Sequence, residues 1–174
     1  MERPVPSVDL REYVDSNGPQ EEDMVKSIMK QLVEASIHMQ SAGVFHRDLK
    51  LDNVLIHPGV SGPRVRIIDF GCGCATQKEP HRFYYSGTTA YAPPEVFSCG
   101  AYHDGPTTVW HLGAIMYEML DGQEDFSTVS FLRSPIKINN KLSRRCRALL
   151  KACWVTDPEK RVTLQQMRQH AWLK

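Results

Sequence analysis

The run VFHRDLKLDNVLI, from Val44 to Ile56, restricts the fold more than any other stretch of the chain. Apolar residues at its two ends enclose a polar centre, so the flanks belong to a core while the centre must reach solvent or a cleft. Upstream, Val25, Ile28, Met29, Leu32, Val33, Ile37 and Met39 recur at three- and four-residue steps between Pro19 and Gly43. With Glu21, Glu22 and Asp23 at the positive end of the dipole and Gly43 as a stop, that spacing predicts one amphipathic helix. Downstream, NVLIHPG and RVRIID predict two short strands around a Gly/Pro turn. The polar loop therefore hangs between a helix and a hairpin.

Its residue types suit group transfer. Asp48 can accept a hydrogen bond from a hydroxyl nucleophile, Lys50 can neutralise charge on a transferring phosphoryl group, and Asn53 can offer a neutral oxygen to magnesium. A His-Arg-Asp tripeptide can equally well do no more than cap a turn. RIIDFGCG, however, places Asp69 directly after a strand, 21 residues beyond Asp48, where a carboxylate can hold magnesium bridging nucleotide phosphates. GTTAYAPPE, Gly87 to Glu95, comes third and DPEKR, Asp157 to Arg161, fourth. The last supplies an ion-pair partner for Glu95. Four motifs in this order and spacing point to one chemistry.

The rest of the chain reads as support. Residues 71–106 are rich in glycine and proline without sustained periodicity, which predicts a long loop. Three helices are expected beyond it: Thr108 to Leu120, closed by Gly122; Leu142 to Trp154, with Leu142, Cys146, Leu149, Leu150 and Cys153 on one face; and a last one opened by a capping box at Thr163 to Gln166 and ending near Trp172. VWHLGAIMYEML is too short and, with His111 and Glu118, too polar to span a bilayer, so it reads as a buried core helix. The N-terminal MERPVPSVDLREYV has no apolar run that could act as a signal peptide and reads as a linker. With 21 Lys plus Arg against 20 Asp plus Glu, the charge balance argues against nucleic acid as a partner. Five cysteines without paired spacing suit reduced thiols in the cytoplasm, or also the nucleus, and not a zinc site.

HRDLKLDN, DFG, APPE and DP..R resemble the catalytic loop, metal-binding triplet, end of the activation segment and late arginine of eukaryotic protein kinases. Within that group the chain resembles the Pim serine/threonine kinases, through the proline-bearing ERPVPSVDL, the PPE, and VWHLG where most kinases carry an Asp two residues before the Trp. The resemblance implies a protein-kinase-like α+β fold. It covers residues 1–174 as the mainly helical C-terminal lobe, with 1–9 as hinge, a short hairpin beside the catalytic motifs, and 69–95 as activation segment. The glycine-rich loop and strand lysine of the smaller lobe have no counterpart in the sequence.

Carried over residue by residue, the resemblance makes Asp48 the catalytic base, Lys50 the phosphate-contacting lysine, and Asn53 and Asp69 the ligands of magnesium, with manganese as a substitute. ATP is expected at the hinge through the Glu2 carbonyl and apolar contact with Pro4, which has no N–H to donate, over a floor of Leu55 and Ile68. Thr88 matches a threonine that hydrogen-bonds the catalytic Asp and Lys, and Glu95 with Arg161 matches a structural ion pair. Asp9, Glu12 and Asp52 match acidic positions that meet arginines of basic protein substrates; the alternative is a solvated acidic face. Thr108 stands where most kinases have an Asp that braces the catalytic loop. Thr76, Tyr84, Tyr85 and Ser86 are hydroxyls open to phosphorylation. The expected enzyme moves the terminal phosphoryl of ATP to Ser or Thr, is monomeric when complete, and uses neither nucleic acid nor membrane. A kinase lobe that binds partners without turnover, a pseudokinase-like regulator, is the alternative.

Overall fold

The computed structural model describes residues 7–57, 59, 62–82, 84–122, 125–134 and 136–174. The predicted long helix is α2, Glu22–Ser41, and Gly43 follows it at φ 72°, a left-handed conformation that glycine adopts without penalty. Before it lies a helix the sequence reading took for linker: α1, Leu10–Asn17, preceded by a short strand β1, Val8–Asp9. Asp9 caps α1 by accepting from the Glu12 amide at 2.8 Å. Leu10 and Val14, one turn apart, are buried to 0% and 1% exposure. Two apolar anchors among charged residues are too few for periodicity to register, and packing decides the helix instead.

The two predicted strands are β3, Val54–His57, and β4, Arg64–Ile67, paired antiparallel with Val54 opposite Ile67. β1 adds to the other edge of β3, placing Asp9 opposite Leu55, so the sheet has three strands in the order β1-β3-β4. A second pairing matters more for the site. β2, Val44–Phe45, runs antiparallel to β5, Cys74–Ala75, with Phe45 opposite Cys74. The loop 46–53 and the loop 68–73 are thus bracketed at both ends by antiparallel pairs, which brings two segments far apart in sequence side by side.

The expected long loop at 71–106 holds more structure than its composition suggests. It contains β6, His81–Arg82, paired with β7, Ala101–Tyr102, and a six-residue helix α3, Pro94–Cys99, which starts with Pro at its first position and ends at left-handed Gly100. Both pieces are shorter than a pattern-based reading can detect.

The core is built around α4, Asp104–Asp121, which starts one turn before the predicted Thr108 and stops at left-handed Gly122. Every residue from Thr107 to Leu120 is buried. Trp110 has no exposure, and its Nε1 donates to Thr128 Oγ1 at 2.9 Å, anchoring α5, Thr128–Arg133. α4 packs against α2 and against α6, Arg144–Cys153, whose buried Cys146, Leu149, Leu150 and Cys153 are the predicted face. Gly113 permits that approach, since a Cβ there would sit 2.8 Å from Cys153 Cβ. α7, Leu164–Gln169, opens with the predicted capping box between Thr163 and Gln166. Full burial of each large apolar side chain stabilises by about 1.5–3 kcal/mol, so this helical layer is a rigid base for the loops above it.

Candidate active site

The loop 46–53 leaves β2 at Phe45 and enters β3 at Val54, and its backbone is fixed by its own side chains. His46 is 2% exposed and bridges two segments: its Nε2 lies 2.9 Å from Ile68 O, and its Nδ1 accepts from Asp48 N at 3.3 Å. Those partners require the neutral ring with the proton on Nε2. Burial holds its pKa below the usual histidine value, against an opposing pull from the Ile68 carbonyl and from Asp48 and Asp69. Ile68 N donates in turn to Asn53 O at 2.9 Å. The residue just before Asp69 is therefore tied to both ends of the loop that carries Asp48.

Asp48 itself is held from three sides. Its Oδ1 accepts from Thr88 N at 2.7 Å, while Oδ2 lies 3.3 Å from Asn53 Nδ2 and 3.8 Å from Lys50 Nζ. Lys50 Nζ also donates to Thr88 Oγ1 at 3.0 Å. The structure thus gathers Asp48, Lys50, Asn53 and Thr88, and the Asp48 side chain keeps 13% exposure. Asn53 turns its amide nitrogen inward, donating also to Asp48 O at 2.7 Å, which leaves its Oδ1 free as a neutral acceptor.

Asp69 is exposed and sits at φ 59°, a region few residues with a Cβ occupy. One of its oxygens accepts from Gly71 N at 3.1 Å; the other is unengaged by that turn. A carboxylate oxygen and an amide oxygen are hard donors of the kind magnesium takes, with water completing the shell, so these residues fit the expected ion. Phe70, 41% exposed, lies over His46 with ring centroids 4.7 Å apart.

The other expected positions distribute as follows. Leu55 is buried to 6% exposure, and Ile68, just after β4, is half-buried. Glu2 and Pro4 lie outside the described residues. Asp52 and Glu12 are exposed on elements that pack together, the turn at Leu51–Asn53 and α1, whereas Asp9 commits one carboxylate oxygen to the helix cap. Glu95 and Arg161 meet in a bidentate pair, with N–O distances of 2.9 and 2.7 Å. Of the hydroxyls flagged for phosphorylation, Tyr84 is 76% exposed, while Tyr85 points its hydroxyl inward.

The roles of three participants escaped the sequence reading. Arg47 is left-handed at φ 68°, and its Nε donates to Cys72 O, joining the loop to the turn after Asp69. Tyr85, from the long segment after Asp69, reaches the same loop at Arg47 O, and His111 on α4 lies against the Tyr85 hydroxyl. Nothing in residue type or spacing marks them, because each acts through a contact between segments distant in sequence. Glu118, noted only as a polar break in an apolar helix, accepts from Tyr91 Oη at 2.6 Å, Arg11 at 3.1 Å and Phe126 N at 2.9 Å. Burial raises its pKa and those bonds pull it back.

This arrangement coincides with a known pattern. The family model described as protein kinase domain matches residues 2–173. Among curated proteins, the chain is 33% identical to the serine/threonine-protein kinase pim-2 of Danio rerio over 99% of its length and 55% of the relative's. It is 33% identical to the serine/threonine-protein kinase ppk25 of Schizosaccharomyces pombe, covering 98% of the chain and 41% of the relative. With the serine/threonine-protein kinase prk-2 of Caenorhabditis elegans it shares 30% identity over all of the chain and 40% of the relative. The chain spans about half the length of the curated relatives it matches.

Proposed function

The chain belongs to the protein kinase domain family, and on that premise we propose that it is the C-terminal lobe of a Pim-like serine/threonine kinase, with residues 1–9 as hinge and 69–95 as activation segment. The reaction is transfer of the terminal phosphoryl of ATP to a Ser or Thr hydroxyl in an arginine-rich protein substrate. The enzyme is monomeric and acts in the cytoplasm or nucleus. The observation that carries the reading is the loop in which Asp48, Lys50, Asn53 and Thr88 converge beside Asp69.

In this reading Asp48 orients the substrate hydroxyl through Oδ2 and accepts its proton, while Thr88 N holds Oδ1. Lys50, steadied by Thr88 Oγ1, presents a point charge to the phosphoryl oxygens. Asn53 Oδ1 and the second oxygen of Asp69 would hold magnesium or manganese. When bound, the ion neutralises charge on the nucleotide phosphates. Leu55 and Ile68 would lie beneath the adenine ring; the expected hinge contacts, Glu2 and Pro4, lie outside the described residues. Asp52 and Glu12, and Asp9 with whatever its cap leaves free, face arginines of the substrate, in charge-assisted contacts that salt weakens.

The test is Asp48→Asn in a polypeptide that carries this chain within a complete two-lobed domain. Phosphoryl transfer to an arginine-rich peptide should fall by roughly 10²–10⁴ with nucleotide affinity retained, the range removed with a positioned general base. Undiminished transfer would sink the assignment. Peptide binding with no turnover even in the unaltered protein would favour the non-catalytic module. No helix among the described residues is long and apolar enough to cross a membrane.

A further inference from the structure

The Arg47–Asp48 peptide unit is the part of the loop on which the direction of the Asp48 side chain depends. Its N–H is anchored at His46 Nδ1. Its C=O, on left-handed Arg47, is anchored from outside the loop: Tyr85 Oη donates to Arg47 O at 3.3 Å and lies 2.8 Å from His111 Nε2. A residue with a Cβ holds a left-handed conformation only where its surroundings impose it. The Thr108 hydroxyl, one turn before His111 on α4, does not serve this carbonyl: it donates back to Asp104 O at 2.7 Å within its own helix.

The approach is close enough to exclude any side chain at Gly87. A Cβ there would strike Arg47 O and lie 2.8 Å from Tyr85 Oη. His111 is 1% exposed, and burial pushes its pKa down to about 3, so the ring is neutral and has one donor and one acceptor. Burial also pushes the Tyr85 phenol well up, so it keeps its proton. That single proton has two neighbours. Arg47 O can only accept, so both bonds form together when Tyr85 donates to Arg47 O and His111 donates from Nε2. His111 Nδ1 makes no hydrogen bond of acceptable geometry, which leaves the proton free to sit on Nε2; the Tyr91 backbone close by is the competitor for it.

We propose that Tyr85 and His111 are positioning residues for Asp48: α4 grips the activation segment through His111, and the segment grips the Arg47 carbonyl through Tyr85. The direction of the catalytic carboxylate is thereby made conditional on the activation segment being docked. The inference rests on the phosphoryl-transfer reading for its catalytic meaning, while the brace itself can be read without turnover.

The test combines amide hydrogen exchange with kinetics on the complete kinase domain containing this chain, comparing Tyr85→Phe, His111→Leu and His111→Gln, the last retaining an N–H donor. Exchange in residues 46–53 should accelerate about fivefold in Tyr85→Phe and His111→Leu, the factor expected for one net hydrogen bond. Residues 144–173 should be unchanged and His111→Gln near the parent. The kcat should fall by a similar factor with KM for ATP within about twofold, since the base is misaimed and the nucleotide site is untouched. Nitrogen-15 shifts of His111 should report the Nε2–H tautomer. A proton on Nδ1, which the Tyr91 backbone nearby favours, would send the phenol proton to the ring and overturn the brace. Unchanged exchange at 46–53 in Tyr85→Phe, or acceleration spread over the whole domain, would also overturn it. Local acceleration in a protein without any transfer would uphold the brace and remove the kinase reading instead.

Discussion

Replacing Arg161 by leucine is expected to be among the most damaging single changes available to this chain. The Arg161 side chain has 0% exposure and that of Glu95 has 5%. Beyond the bidentate pair, Arg161 donates to Val155 O and Pro106 O, both at 2.9 Å, and to Thr156 O at 3.3 Å, and its guanidinium lies 5.0 Å from the Trp110 ring. Removing one partner of a buried pair leaves the other charge without compensation, at about 3–5 kcal/mol. The three carbonyls deprived of a donor push the effect to the upper end of that range. In a domain stable by only 5–15 kcal/mol, this should lower Tm by roughly 10 °C or more. Glu95→Gln should cost somewhat less, about 2–4 kcal/mol, because one amide oxygen still accepts from the guanidinium and the three carbonyls still bind it, although the buried positive charge loses its counter-charge. The double leucine variant should fall well short of the sum of the two single leucine variants, since both charges leave together. Urea unfolding monitored by tryptophan fluorescence gives the values for Arg161→Leu, Glu95→Leu, the double leucine variant and Glu95→Gln. An Arg161→Leu loss below about 1 kcal/mol at unchanged m would refute the reasoning.

His111 predicts acid lability: an unfolded histidine titrates near 6.5 and the folded one near 3, so the unfolded state takes up protons first. Its contribution is complete above about pH 6.5 and declines by up to ~1.4 kcal/mol per pH unit as pH falls towards 3, with His46 and Arg161 disfavouring its protonation further and Asp48 opposing them. Between pH 6.5 and 5, His111→Gln should show a shallower loss of stability than the parent, and equal slopes would contradict the assignment. Gly87→Ala should detach the activation segment from the catalytic loop, because the new Cβ meets backbone at Arg47 and not a flexible side-chain end. It should cost about 1–3 kcal/mol and depress transfer more than Tyr85→Phe does, measured by unfolding and by kcat; a fully active variant would show that the two segments need not touch.

The elements with long or strongly punctuated patterns were legible in the sequence. α2 follows from seven apolar residues at helical steps between acidic residues and Gly43, α6 from its buried face, α7 from its capping box, and the β3–β4 hairpin from β-branched runs around a turn. Asp48, Lys50, Asn53 and Asp69 stood out for a different reason, since the proposed phosphoryl chemistry calls for those residue types at those spacings, and the structure brings Asp48, Lys50 and Asn53 together. What the sequence could not express were elements too short to carry a period, such as α1 and α3, and contacts whose partners are tens of residues apart. The pairing of Phe45 with Cys74 is of this kind, and together with the hairpin it sets the distance between the two motif loops. The left-handed turn at Arg47 and the hold of Tyr85 and His111 on its carbonyl exist only once α4 is buried and the activation segment lies against it. Local sequence encodes periodicity and residue chemistry, whereas the aim of a side chain within a site is set by hydrogen bonds and packing between segments, and these come into being only when the chain has folded.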